Sequence, residues 1–333
     1  MANEAAIQDT RWDEFRREFG VYSGQFADKG LFFLLLAAWL ALFHFLGNCT
    51  FGYIDTPSLF GWMWVASTST SIPGTPLEKL MNADDGYCLM MPALVLVLFW
   101  HERQRLVAVP RRLWWPGLLG LALALTLHIL GYLIQQPRVS IVAMLSGIYG
   151  LIALTWGWRF AVASFFPFAL LAFCVPFGAL AEPITVPLRQ FSTDIAVGFV
   201  RDVLGIPVIQ QGVQIIDPRG TYHYEVAAAC SGIRSLIALF ALATIYSCLT
   251  FTRIWKRGLT IATVVPLAIT GNVLRLVCIV VAAQAFGPDA GEFVHNWFGF
   301  LTFALALMVL FGLGAWLRDP VPAPLGSQLP STP

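Results

Sequence analysis

The apolar residues of this chain come in long runs rather than alternating stripes, and no other feature restricts its fold so strongly. Stretches such as Gly258 to Ala283 and Trp297 to Leu317 carry too few polar residues to present a water-facing side. Hydrophobic residues make up 58% of the 333 positions and charged residues 12%. That is about half the charged share of an ordinary soluble domain, so a water-soluble fold is not expected.

A membrane span takes roughly 20 mostly apolar residues. Such runs lie at about Gly30 to Gly47, Tyr87 to Trp100, Pro116 to Ile134 and Val139 to Trp156. Four more cover Phe160 to Phe177, Gly232 to Thr250, Gly258 to Ala283 and Trp297 to Leu317. In lipid every backbone polar group must find its partner within the segment, so these runs predict an all-α polytopic membrane protein of about eight transmembrane helices. Trp100, Trp114, Trp115, Trp156, Trp158 and Trp297 fall near the ends of runs, where they suit either the membrane interface or packing. No basic stretch, short apolar core and small-residue cleavage site precede the first run, so it is expected to stay as an anchor.

Lysine and arginine collect in cytoplasmic connections. Arg11, Arg16, Arg17, Lys29, Arg103, Arg105, Arg111, Arg112, Arg159, Arg253, Lys256, Arg257 and Arg318 fall on one side, against Lys79, Arg138, Arg189, Arg201 and Arg219 on the other. Thirteen against five places both termini inside, as an even number of spans requires. Residues 1–29 are then a cytoplasmic N-terminal segment, 30–317 the transmembrane domain, and the Pro-rich 318–333 a disordered cytoplasmic tail. The net charge of +1 gives no general attraction to nucleic acid.

Two long segments, 48–86 and 178–230, face the outside in this reading. In the second, PLRQFSTDIAVGFVRDVL spaces apolar residues among Arg189, Asp194, Arg201 and Asp202, the pattern of an amphipathic helix at the membrane surface. IPVIQQGVQII, the turn-prone Asp217-Pro218-Arg219-Gly220 and TYHYEV then predict a β-hairpin leading into the sixth span.

The junction AAACSGIRSL puts Cys230 at the first turn of a helix whose N-terminus faces outside. The positive end of the helix dipole favours a thiolate there, and Arg234, four residues on, lies on the same face. The backbone N–H groups of Ser231 and Gly232 are placed to donate to a developing oxyanion. The alternative is that Cys230 is a small packing residue. GNVLRL sets Asn272 and Arg275 three apart on one helical face. A charge inside a span is unfavourable by roughly 2.5–3.5 kcal/mol on insertion scales, so it faces a cavity or snorkels to the headgroups. GPDAGEFVHNWFGF then brings His295 just before the last run. A nucleophile, a cation and an acid/base at one depth on three neighbouring spans are the parts that acyl transfer needs.

AAACSGIRSL, GNVLRL and the histidine at 295, in this order on consecutive spans and preceded by LGIPVIQQGVQI, resemble the exosortase/archaeosortase family over about residues 185–315. The resemblance implies a membrane cysteine transpeptidase of the plasma membrane, with Cys230, Arg275 and His295 as the catalytic group on the extracytoplasmic side. Its partners would be exported proteins bearing a C-terminal tripartite signal: a short motif such as Pro-Glu-Pro, a transmembrane segment and a basic tail. The acceptor (lipid, glycan or water), the subtype and the oligomeric state stay open. No cofactor is implied.

Other polar residues have plainer readings. His223 and Glu225 share one strand face, suited to solvent or to a substrate tail. Cys49 and Cys88 fall at outer ends of spans, as a disulfide or as two thiols, whereas Cys174, Cys248 and Cys278 read as packing residues. Glu78, Asp84 and Asp85 lack metal-ligand spacing, and no phosphate-binding glycine loop occurs. The rival reading is a transporter or lipid-handling protein with Arg275 and Asn272 along its path. Its charges would be expected near mid-membrane in repeated halves, whereas here they collect toward one end of the last three spans.

Overall fold

The computed structural model describes the chain except residues 1, 27–28, 48–55, 69–74, 77–78, 80–82, 84, 177–181, 219, 221–222, 226–232 and 319–333. Side chains are also left undescribed at 2–11, 182, 184, 223–225, 233–235 and 296. The chain is mostly helical and divides into two compact units, residues 1–178 and 179–333.

The first unit holds α1 (Ala2–Gly24), α2 (Lys29–Phe45), α3 (Leu59–Ala66), α4 (Tyr87–His101), α5 (Arg103–Val107), α6 (Gly117–Leu133), α7 (Pro137–Trp156) and α8 (Trp158–Ala169), the last running on as a 3₁₀ turn, Leu170–Cys174. Its core gathers Phe32, Leu106, Leu151, Ile152, Phe160 and Phe168. The α6–α7 hairpin is held closely because glycines meet across it: a Cβ at Gly120 would lie 3.7 Å from the Cα of Gly150. His128 is buried and structural, its ring nitrogens at 3.0 Å from Ser140 Oγ and 3.2 Å from the Leu46 carbonyl. The N-terminal segment contains a helix that hydropathy does not reveal. Trp100 of α4 packs on Phe15 of α1, and Arg103 binds Glu18 at 2.9 Å.

Gly147 of α7 abuts the ring of Trp39, whose indole N–H donates to the Met144 carbonyl at 3.0 Å. Any Cβ there overlaps the ring. We expect Gly147→Ala to lower the thermal midpoint in detergent through an overpacking penalty of about 1–3 kcal/mol. An unchanged midpoint by scanning fluorimetry would show that Trp39 gives way freely.

The second unit begins with α9 (Glu182–Gly198) and a π-helical turn, Phe199–Val203. Strands β1 (Ile209–Gln211), β2 (Gln214–Ile216) and β3 (His223–Glu225) form an antiparallel sheet in that order, registered Gln210 to Ile215 and Ile215 to Tyr224. The sheet has one strand more than the expected hairpin because Gly212 adopts φ 61°, which turns β1 back into β2 after two residues. Then come α10 (Ile233–Thr250), α11 (Ile254–Ala262), α12 (Val264–Phe286) and α13 (Pro288–Trp316).

Among the described residues every expected apolar run falls chiefly on helix, Gly258 to Ala283 being divided between α11 and α12. Among the described residues, three meet the length and hydropathy of a full span: Pro137–Trp156, Ile254–Phe286 and Trp297–Trp316. The pair Trp12–Gly24 and Lys29–Phe45, bent by 94°, makes up to four. Tyr87–His101, Gly117–Leu133, Trp158–Cys174 and Leu236–Thr250 are apolar but shorter.

The region of 187–204 is helical as expected, but Arg189 is not on a solvated face. It is buried on the side of α9 that carries Ser192, Thr193, Ala196 and Val197. Cys88 is a buried free thiol, and Cys49 lies outside the described residues.

Candidate functional site

Helices α12 and α13 form an antiparallel hairpin about Gly287. At φ 96° this residue sits in backbone space that only glycine enters freely, and Pro288 opens the next helix where its missing N–H is harmless. The pairing can be followed along the seam. Gly271 faces Thr302, and one turn further on Arg275 faces Gly299, whose added Cβ would lie 3.5 Å from the guanidinium carbon. Beyond that, Arg275 Nη2 donates to the main-chain carbonyl of His295 at 2.5 Å.

Arg275 and His295 are thus brought together, though through the backbone of the histidine rather than its ring. Arg275 Nε is buried and has no hydrogen-bond partner. The guanidinium therefore holds one fixed contact and keeps donors uncommitted, a state that is unfavourable in an apolar setting unless an anion arrives. Asn272, three residues earlier, is buried on the same helix at 9% exposure.

His295 is half-buried. It lies inside α13 rather than ahead of it, because the helix begins at Pro288, two turns before the apolar window that opens at Trp297. Burial lowers its pKa below the ordinary 6.5, the Arg275 charge lowers it further, and Glu292 partly opposes them. The imidazole is held neutral at neutral pH, the form that accepts a proton.

Of the remaining candidates, Cys230, Ser231 and Gly232 lie outside the described residues, as does the side chain of Arg234, whose backbone sits in the first turn of α10. The strand carrying His223 and Glu225 ends five residues before Cys230, with those side chains undescribed. Helix α10 packs against both α12 and α13, and Leu239 and Ala243 share a buried cluster with Val264, Ala306 and Leu310. Among the described residues no group of three histidine, cysteine or acidic side chains could hold a metal.

Among the buried charges that sequence reasoning missed is Arg189. It is 9% exposed, and its Nε has no partner.

A helical membrane chain with a cation and a histidine joined across the seam of its last two long helices is a polytopic protein with a polar site built into apolar helices. The family model for transmembrane exosortase matches residues 79–312, and the chain belongs to that family. No curated relative and no solved structure matches it.

Proposed function

We propose that this exosortase is a membrane cysteine transpeptidase that cleaves the C-terminal sorting signal of exported proteins through a thioester on Cys230 and passes them to an acceptor. The observation that carries the reading is the Arg275 guanidinium, anchored on the His295 carbonyl with Nε left without an acceptor. Family membership supports the reaction class. All eight apolar helices cross the bilayer in this reading, with both termini cytoplasmic and the site extracytoplasmic.

His295, neutral at rest, takes the Cys230 proton, and the thiolate sulfur attacks the scissile carbonyl carbon. Arg275 stabilises the oxyanion. As the carbon–nitrogen bond breaks, the imidazolium gives its proton to the leaving amine, and a thioester remains. The acceptor, an amine, a hydroxyl or water, yields a proton to His295, attacks the thioester carbonyl and expels the thiolate. Ser231, Gly232, Asn272 and Arg234 serve as supporting donors and charges.

Coexpression with a tripartite-tail substrate from the same genome tests this by mass spectrometry of the substrate C-terminus. Loss of the tail together with a hydroxylamine-sensitive adduct is expected. Well-expressed substrates that stay intact would favour the transporter reading.

The pH profile supplies a second check. Turnover requires neutral His295, so the acid limb should lie below 6.5, the ordinary imidazole value. Glu292→Gln removes the charge that favours the imidazolium and should move that limb lower still in single-turnover rates. A limb that rises would remove His295 from the base role.

A further inference from the structure

Helix α9 packs against α12, where Ala196, Val197 and Val200 meet Leu276, Val280 and Ala283 in one buried cluster. Arg189 lies seven residues before Ala196, two turns or about 10 Å back along the same face. It is 9% exposed and sits amid buried Thr185, Ser192 and Thr193. These neighbours do not supply a counter-charge. Ser192 Oγ and Thr193 Oγ1 donate to the carbonyls of Leu188 and Arg189, each at 2.9 Å.

The described carboxylates of α9 and its π-helical turn are engaged elsewhere. Asp194 accepts from Gln210 Nε2 at 2.6 Å, and Asp202 binds Arg201 at 2.8 Å. No described acceptor bonds the Arg189 guanidinium, and its Nε is cut off from solvent as well. A buried guanidinium without an acceptor lowers stability, since desolvation is not offset by any bond. A planar five-donor group held this way is matched to a carboxylate, which it can bind through two parallel bonds.

We propose that Arg189 is a specificity-determining residue that binds the side-chain carboxylate of the acidic residue in the substrate's sorting motif. This rests on the transpeptidase reading for the identity of the peptide. Arg275 answers the oxyanion at the scissile bond, and Arg189 answers a fixed negative charge elsewhere on the same peptide.

The test is binding, so it does not depend on turnover. Full-length protein carrying Cys230→Ala, in zwitterionic nanodiscs, is titrated with two fluorescent peptides. Each has the apolar segment and basic tail, and they differ in Pro-Glu-Pro against Pro-Gln-Pro. With Arg189 present the Glu peptide should bind roughly tenfold to a hundredfold more tightly, as charged hydrogen bonds do. Arg189→Gln should bring the two within about twofold and Arg189→Lys should keep part of the preference, as a point charge without the fork. The thermal midpoint of Arg189→Gln should be unchanged or raised, which a purely structural arginine would not give.

A Glu preference that survives Arg189→Gln would overturn the assignment. Absence of that preference with Arg189 present would do the same and needs no variant to fold. So would native mass spectrometry in which Arg189 retains phosphatidylglycerol and Arg189→Gln loses it, since the anion would then be a lipid phosphate. Cleavage by the cysteine-containing enzyme, measured in parallel, separates the two readings. Normal cleavage with no Arg189-dependent preference removes only the specificity role, and Arg189-dependent preference without cleavage removes only the thioester.

Discussion

Cys230→Ala is expected to leave expression and membrane insertion intact and to abolish processing, a fall of at least about ten-thousandfold, the scale on which acyl-transfer enzymes lose rate with their nucleophile. The prediction is sharp because alanine removes only the sulfur. Alanine is small and apolar like the thiol it replaces, so hydropathy changes little, and expression read alongside turnover separates chemistry from misfolding. Immunoblots of the membrane fraction, mass spectrometry of the substrate and a search for the hydroxylamine-sensitive adduct read the three consequences separately. Cys230→Ser tests the chemistry further. A hydroxyl needs its proton removed at the moment of attack, whereas a thiol is already partly ionised at neutral pH, so serine should restore at most a trace of activity. Equal processing by wild type and Cys230→Ala would end the cysteine mechanism, whatever the family.

Much of the architecture was legible in hydropathy, because lipid leaves a chain few options: the apolar runs are helical, though one of them, Gly258 to Ala283, is shared by α11 and α12. Boundaries were less legible where hydropathy and capping disagree. The last helix reads as starting at Trp297, where the apolar window opens, yet it begins at Pro288, where the Gly287-Pro288 pair sets the break. Helix α1 has ordinary composition and no apolar run, so hydropathy passed over it.

The candidate site divides in the same way. Arg275 stood out because a charge within an apolar run needs a reason to be there, and the structure sets it beside His295. Arg189 did not stand out. Among Asp194, Arg201 and Asp202 it reads as one more charge on a wet face, and only burial distinguishes it. Asp194, Arg201 and Asp202 are indeed exposed and bonded to one another or to Gln210. The sequence signal that was available is spacing: Arg189 recurs with Ser192, Thr193, Ala196 and Val197 at intervals of three, four, seven and eight, on the apolar side of the helix.

Arg275→Ala is expected to lower processing by about a thousandfold or more, since loss of one oxyanion donor costs 10²–10³ in rate and this donor carries a full charge in an apolar setting. Two roles must be separated, because the same side chain holds the His295 carbonyl and thereby the seam between α12 and α13. If the arginine were structural, its removal would lower the thermal midpoint and processing together. If it is retained for chemistry, removal relieves a burial penalty of roughly 2.5–3.5 kcal/mol, and Arg275→Leu should insert as well as the wild type and melt no lower. Arg275→Lys sharpens the contrast. An ammonium keeps the charge but lacks the planar fork, so it cannot hold the His295 carbonyl and direct a second donor at the substrate at once. Its expected loss is intermediate, about a hundredfold, and added guanidinium should rescue Arg275→Ala in part while leaving Arg275→Lys unmoved. Single-turnover rates alongside melting in the same detergent decide between the roles. A stable Arg275→Leu that still processes substrate at the wild-type rate would leave the oxyanion without its donor and the proposed site without its centre.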